Sequence, residues 1–151
     1  MTNSSNEFNV YRHILIPTDG SELAEHEVAH GLALAKSLGA KVSVIFVVEP
    51  FSEMTGRFLE AVARYAELRK EQATSVLVRA ANAAKEAGVS CETIQVENGQ
   101  PHQAIITAAE DKGCDLIVMS SHGRSGLAML LIGSVTNKVL TQAKTPVLVC
   151  Q

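Results

Sequence analysis

Five short apolar segments alternate with stretches of helical periodicity along the chain, and this alternation limits the folds that it can adopt. The apolar segments are rich in Val, Ile and Leu, as are strands that are covered on both faces. Between them, apolar residues recur every three or four positions, which predicts helices. Alternating strands and helices predict a parallel sheet with right-handed crossovers. The predicted strands are 13–17, 41–48, 89–96, 115–119 and 146–150.

Residues with particular conformational preferences mark the ends of the predicted helices. Ser21 is suited to cap a first helix that runs to about residue 38, where Gly39 ends it. A long second helix ends at Gly88, and Pro101 suits the first position of a third helix that ends near residue 112. A fourth helix runs from residue 134 to about residue 144, with the hydroxyl of Ser134 as its cap.

We therefore predict an α/β fold, a single-domain, Rossmann-like, doubly wound parallel sheet of five strands with helices on both faces. The alternation alone leaves the strand order open, and we take the order 3-2-1-4-5. In that order the winding reverses between strands one and four. Ligands of such sheets bind beyond the carboxyl ends of the strands at the reversal. The loops there are 17–21 and 120–133.

The composition is that of a folded domain with a sizeable core, since 46% of the 151 residues are hydrophobic and 19% are charged. The formal net charge of −3 argues against general nucleic-acid binding. No apolar run approaches the ~20 residues of a membrane span. We expect residues 1–10 to form a disordered tail without signal-peptide character, followed by one domain over 11–151. Three separated cysteines fit a reducing cytoplasm.

A glycine-bearing loop follows the fourth predicted strand and leads into the fourth predicted helix. It contains Gly123, Gly126 and Gly133, and Ser134 follows directly. Glycines let backbone N–H groups approach an anion, and a helix N-terminus adds unpaired donors and partial positive charge. All 16 acidic residues lie at or before Asp115, so the last 36 residues contain no acid. This segment therefore predicts an anion site, such as a cradle for phosphate.

Gly123, nine further residues and then Gly133-Ser134 resemble the nucleotide-binding loop of the universal stress protein family. The similarity covers essentially the whole chain and includes the opening segment ILIPTDGS (14–21) and the closing segment TPVLV (145–149). It points to the branch of the family that binds ATP. One residue departs from the family pattern, which has a glycine where this chain has Ser120. Serine keeps the backbone N–H but resists a positive φ.

The resemblance implies a role for each loop of the predicted cleft. The backbone of Val47, near the end of strand two, would bind adenine, and 17–19 would line the base and ribose. Asp19 would alternatively help to hold Mg²⁺ or Mn²⁺ on the phosphates, although its residue type alone indicates a turn. Arg124 suits phosphate as a fork of donors. The residues expected around ATP, ADP or AMP are Pro17, Thr18, Asp19, Val47, Met119, Ser120, His122, Gly123, Arg124, Gly133, Ser134, Val135 and Thr136.

The segment His26-Glu27-Val28-Ala29-His30 matches the H-E-x-x-H motif of zinc proteases. At ~100° per residue, both histidines fall away from the apolar face of the first helix, so we expect them to be exposed. No third ligand is evident downstream. We interpret the match as coincidental and expect no stoichiometric zinc. His122 has no identifiable nucleophile partner, so we interpret it as a packing or hydrogen-bonding residue of the loop.

The resemblance implies a cytoplasmic, ATP-binding protein with a regulatory or sensor role in the stress response. The sequence supplies groups that could bind ATP but no convincing set of catalytic residues, so we expect any hydrolysis of ATP to be slow. Two alternatives stay open: an enzyme that cleaves ATP with Asp19, a metal ion and His122, or a nucleotide-free protein-interaction module.

The fifth strand, 146–150, lies at a sheet edge in the order that we take. Its apolar, uncharged edge predicts a homodimer formed by pairing with a second copy. Similar family members dimerise through this strand, which supports the same expectation. We expect an unidentified regulatory protein as a further partner, but no nucleic acid and no stable membrane insertion.

Overall fold

Strands and helices alternate along the chain in the computed structural model, which describes residues 10–50, 59–121 and 132–151. Most of the predicted 1–10 tail and the loop residues 122–131 lie outside these ranges. The elements are β1 (His13–Pro17), α1 (Glu22–Leu38), β2 (Lys41–Val48), α2 (Leu59–Ala87), β3 (Cys91–Glu97), α3 (Pro101–Lys112), β4 (Leu116–Ser120), α4 (Ser134–Gln142) and β5 (Val147–Cys150).

The strands form one parallel sheet in the order β3-β2-β1-β4-β5, which confirms the predicted topology. In the centre of the sheet, Leu15 of β1 is paired with Ser43 of β2 and with Ile117 of β4. The winding reverses between β1 and β4. A crevice therefore opens where the carboxyl ends of these two strands diverge into their loops.

Two apolar layers cover the sheet, one on each face. On one face, Ile14, Ile16 and Phe46 pack with the apolar sides of α1 and α2. On the other face, Leu15 and Ile45 pack with residues of α3 and α4. Successive side chains of a strand point to opposite faces, so a central strand needs apolar residues at every position. This requirement explains the continuous apolar runs of β1 and β4.

The ends of the helices confirm most of the predicted boundary signals. The hydroxyl of Ser21 accepts the N–H of Ala24 at 3.2 Å and caps α1. Gly39 ends α1 with φ of 66°, a conformation that favours glycine. Pro101 occupies the first position of α3. In the described ranges no helix combines the length and the apolar character needed to cross a bilayer.

The prediction that Ser134 caps the fourth helix is wrong. Gly133 is the cap, and Ser134 is the first helical residue. The carbonyl of Gly133 accepts the N–H of Asn137 at 2.9 Å, so the first helical hydrogen bond begins one residue earlier than we expected. The helix also ends at residue 142 rather than near 144, because Ala143 is already extended, with ψ of 140°.

Candidate functional site

A pocket of about 290 Å³ lies at the carboxyl edge of the sheet, between the ends of β1 and β4. This volume is near the lower end of the range for small-molecule sites. The pocket is lined by every described residue of the set predicted from the sequence: Pro17, Thr18, Asp19, Val47, Met119, Ser120, Gly133, Ser134, Val135 and Thr136. The other three, His122, Gly123 and Arg124, lie outside the described residues.

The turn after β1 forms one wall of the pocket and is held by its own hydrogen bonds. The N–H of Thr18 donates to the carbonyl of Ile45 at 2.9 Å, which ties the turn to β2. The Oδ1 atom of Asp19 accepts the N–H of Ser21 at 3.0 Å. Gly20 has φ of 80°, which a residue with a Cβ rarely adopts. Asp19 therefore supports the turn in addition to lining the pocket.

The start of α4 forms the opposite wall and is anchored to the end of β4. The N–H of Gly133 donates to the carbonyl of Ser121 at 2.6 Å. The hydroxyl of Thr136 donates to the carbonyl of Ser120 at 2.8 Å. The first-turn N–H groups, those of residues 134–136, have no acceptor within a helix. An anion at this end of the pocket would meet these donors and the positive end of the helix dipole.

Glu27 is a pocket residue that the sequence analysis missed as such. Its neighbours in the H-E-x-x-H motif, His26 and His30, are exposed as predicted, but Glu27 itself is only 4% exposed and lines the pocket. Burial raises the pKa of its carboxyl to about 8, although the hydroxyl and N–H of Ser120 donate to it. The nearby charge of Asp19 raises this pKa further.

Helical spacing could have identified Glu27 as a buried residue from the sequence, although not as a residue of the pocket. The buried positions of α1 recur at residues 24, 27, 28, 31, 32 and 35, and this series passes through the glutamate. The interpretation of the H-E-x-x-H motif rested on its two histidines and left the glutamate out. In the described residues, no group of three or more His, Cys, Asp or Glu side chains is arranged to hold a metal ion.

Arg69 is a second pocket residue that the sequence analysis missed. It lies on α2, is 9% exposed, and its guanidinium carbon is 5.4 Å from the ring centroid of Phe46. One guanidinium nitrogen donates to Oε1 of Gln72 at 2.6 Å, and Nε has no hydrogen-bond partner within the described part of the chain. Helical spacing also puts Arg69 on the buried face of α2, one turn before Ala73.

A doubly wound sheet with a helix N-terminus and a pocket at the reversal of winding defines an α/β protein whose pocket lies where the ligands of such sheets bind. The model of the universal stress protein family matches residues 10–151. The chain belongs to this family.

Individual relatives agree with the family assignment. A universal stress protein of Methanocaldococcus jannaschii, MJ0531, is 39% identical, and the match covers 93% of this chain and 82% of the relative. The solved structure of the universal stress protein UspA from Lactobacillus plantarum aligns with a TM-score of 0.83 at 22% identity, over 93% of this chain and 98% of that one. A universal stress protein in complex with cAMP aligns with a TM-score of 0.67 at 26% identity, over 93% and 97%.

Proposed function

We propose that the protein binds an adenine nucleotide in this pocket, with the base at the β2 end and the phosphates at the start of α4. The observation that carries the proposal is the convergence of ten predicted residues on one pocket, with the first turn of α4 at one end. That turn reads Ser-Val-Thr-Asn and contains no acid. The complex of a related protein with cAMP supports an adenine nucleotide as the ligand class.

The hydrogen bonding of β2 favours Val47 as the partner of the base. The carbonyl of Val48 accepts the N–H of Asn98 on the β3 side, whereas the carbonyl of Ile45 accepts the N–H of Thr18 on the β1 side. Backbone groups alternate along a strand, so those of Val47 point to the β1 side. Since β1 ends at Pro17, they face the pocket and are available to the edge of an adenine ring.

We propose ATP, ADP or AMP as the nucleotide, with Mg²⁺ or Mn²⁺ arriving on the phosphates. Asp19 is the protein carboxylate that would contact such an ion, in keeping with the preference of these cations for oxygen ligands. One protein carboxylate leaves most ligand positions to phosphate oxygens and water. We therefore expect metal binding to depend on the nucleotide.

We propose a regulatory or sensor role in the cytoplasm rather than rapid turnover of the nucleotide. Three acids line the described pocket. Asp19 supports a turn and Glu27 accepts hydrogen bonds from Ser120, so neither is arranged as a base against a nucleophile. Glu49 directly follows β2, at the end of the pocket that we propose for the base. Burial raises the pKa of the Cys114 thiol to about 11, which suits an unreactive thiol in a reducing compartment.

We also propose a homodimer formed through β5. This strand lies at the edge of the sheet, and in the described residues no strand pairs with its outer side. Leu148, in the middle of the strand, is 39% exposed. An apolar edge of this kind favours antiparallel pairing with the same edge of a second copy about a two-fold axis.

The substitution Ser134→Pro tests the phosphate end of the pocket. Proline is tolerated at the first helical position, and Gly133 already has φ of −57° and ψ of 153°, which a following proline accepts. The substitution therefore removes one N–H donor without disturbing the helix. We expect the affinity for ATP, measured by calorimetry, to fall by the ~1.5–3 kcal/mol of a charged hydrogen bond. The affinity for adenosine, which has no phosphate, should be unchanged.

Ser134→Ala is the matched control, because it removes the hydroxyl but keeps the N–H. Mass spectrometry of ligand released from the purified protein identifies the nucleotide, and phosphate release from ATP measures turnover. Absence of binding by AMP, ADP and ATP to the wild-type protein would contradict the proposed function. Rapid turnover would favour the enzyme alternative instead.

A further inference from the structure

The carboxyl of Glu27 is a buried acid in a pocket whose proposed ligand is an anion. Glu27 lies in the second turn of α1, lines the pocket and is almost fully buried. Its Oε1 atom has no hydrogen-bond partner among the described residues. A buried ionised carboxylate without full hydrogen bonding is strongly disfavoured, so such a group is held in its neutral form. The proposed function does not use this residue.

Glu27 is connected to the proposed phosphate end of the pocket through Ser120. The N–H and hydroxyl of Ser120 donate to the carboxyl of Glu27. The carbonyl of Ser120 in turn accepts the hydroxyl of Thr136 in the first turn of α4. One residue therefore contacts both the buried acid and the helix start. A charge on Glu27 would act on any group that lies beside Ser120.

The low dielectric constant of the protein interior would strengthen the repulsion between an ionised Glu27 and a phosphate. Two like charges inside a protein repel much more than two charges in water, because little solvent screens them. An ionised Glu27 would therefore oppose a phosphate at the start of α4, whereas a neutral Glu27 would not. A ligand that presents only hydroxyl groups there would be affected much less by either state.

We propose that Glu27 determines the charge selectivity of the pocket: a phosphate-bearing ligand occupies it only while this carboxyl is neutral, whereas an uncharged nucleoside is accepted in both states. This inference rests on the proposed nucleotide site and adds to it a coupling between a proton on Glu27 and the phosphate of the ligand. The protein then binds nucleotides less tightly in alkaline solution, because Glu27 loses its proton there.

Other charged groups near Glu27 come from several elements. Asp19, in the turn after β1, acts on Glu27 through its negative charge, and Cys150 on β5 interacts with it electrostatically. Burial raises the pKa of the Cys150 thiol above its ordinary range. Arg69 on α2 and Glu49, directly after β2, line the same pocket. On α1 itself, His26 and His30 are exposed.

Calorimetric titration with ADP and with adenosine at pH 7, 8 and 9, without divalent cations, tests the proposal. A carboxyl that titrates near pH 8 is neutral in about one molecule in ten at pH 9, so the apparent affinity for ADP should fall about tenfold from pH 7 to pH 9. The terminal phosphate of ADP is mostly ionised already at pH 7, since the second pKa of a phosphate monoester is about 6. The affinity for adenosine should stay nearly constant.

The isosteric variant Glu27→Gln is neutral at every pH, so its affinity for ADP should not decline. Glu22→Gln, which removes an exposed acid from the first turn of the same helix, is the matched control and should behave as the wild type. Identical pH profiles for the wild type and Glu27→Gln would overturn this inference and leave the proposed function standing. Failure of both proteins to bind either ligand would contradict the proposed function and this inference with it.

Discussion

At the scale of single residues, the burial of Glu27 has a consequence for stability that is independent of any ligand. Its pKa is raised from 4.5 in the unfolded chain to about 8 in the folded protein, so the folded state binds the proton more tightly. The contribution of Glu27 to the free energy of unfolding is therefore greatest below about pH 4.5, and it is lost as the pH rises towards 8. Above that pH, the unfavourable contribution is constant.

We predict that Glu27→Gln becomes increasingly more stable than the wild type between pH 5 and pH 8. The difference in the free energy of unfolding should grow by at most ~1.4 kcal/mol per pH unit, and reach about 2–4 kcal/mol. Urea denaturation at several pH values measures it. Glu22→Gln, at an exposed position, should show a difference that does not change with pH. Parallel curves for Glu27→Gln and the wild type would show that the carboxyl is not held neutral.

The residues around the pocket differ in how far the sequence could predict them. Pro17, Thr18 and Ser120 lie at strand ends, and the topology of a parallel sheet brings strand ends together regardless of other detail. Glu27 and Arg69 enter the pocket from helices. A helix brings a side chain to a cleft only through its rotation and its distance from the sheet, and these depend on the packing of the whole layer.

At the scale of elements, the contact between α1 and β1 depends on a glycine. A Cβ at Gly31 would lie closer to Cδ1 of Ile16 than van der Waals contact allows, 3.0 Å from its Cγ1 and 3.7 Å from Cγ1 of Val118. All of these neighbours are fully buried. The glycine therefore allows the helix to approach the central strands closely, although glycine lowers helix stability.

We predict that Gly31→Ala destabilises the protein by up to about 2 kcal/mol. The gain in helix propensity is ~1 kcal/mol, and the cost of overpacking a buried site is ~1–3 kcal/mol. Chemical denaturation measures the difference. Ile16→Val removes the Cδ1 atom that the new methyl group meets, so the double variant should lose less than the sum of the two single losses. Additive losses would show that the clash is relieved elsewhere.

The elements were predicted well where a residue has one strong conformational preference. Gly39 correctly marked the end of α1, because glycine readily adopts the positive φ found there. Pro101 correctly marked the start of α3, because proline fixes φ at a helical value. The start of α4 was misplaced by one residue, because both glycine and serine are good caps and the choice depends on the bond from Gly133 to Ser121. That bond is tertiary and leaves no local signal.

At the scale of the whole molecule, the sheet order brings the two ends of the proposed nucleotide site into one pocket. β2 and β4 lie on either side of β1, so the open backbone of Val47 and the first turn of α4 face each other across the end of β1. The alternation of strands and helices predicted the sheet and its helices, but the order rested on a choice among topologies that the alternation alone does not settle.

The same order leaves β5 at an edge with backbone groups available for pairing. The carbonyls of Pro146 and Cys150 accept the N–H groups of Ile117 and Ser121 on the β4 side. Because backbone groups alternate along a strand, those of Val147 and Val149 point to the open edge. Antiparallel pairing of two such edges would join the sheets of two copies into one continuous sheet.

We predict that the wild-type protein is a homodimer and that Val149→Pro makes it monomeric, as measured by light scattering. Proline removes the outward N–H of residue 149, and an edge strand tolerates it because no bond to β4 is lost. Val149→Thr keeps the N–H and the β-branched shape and should stay dimeric. Circular dichroism should show both variants folded. A monomeric wild type, or a dimeric Val149→Pro, would mean that backbone pairing at β5 does not form the interface.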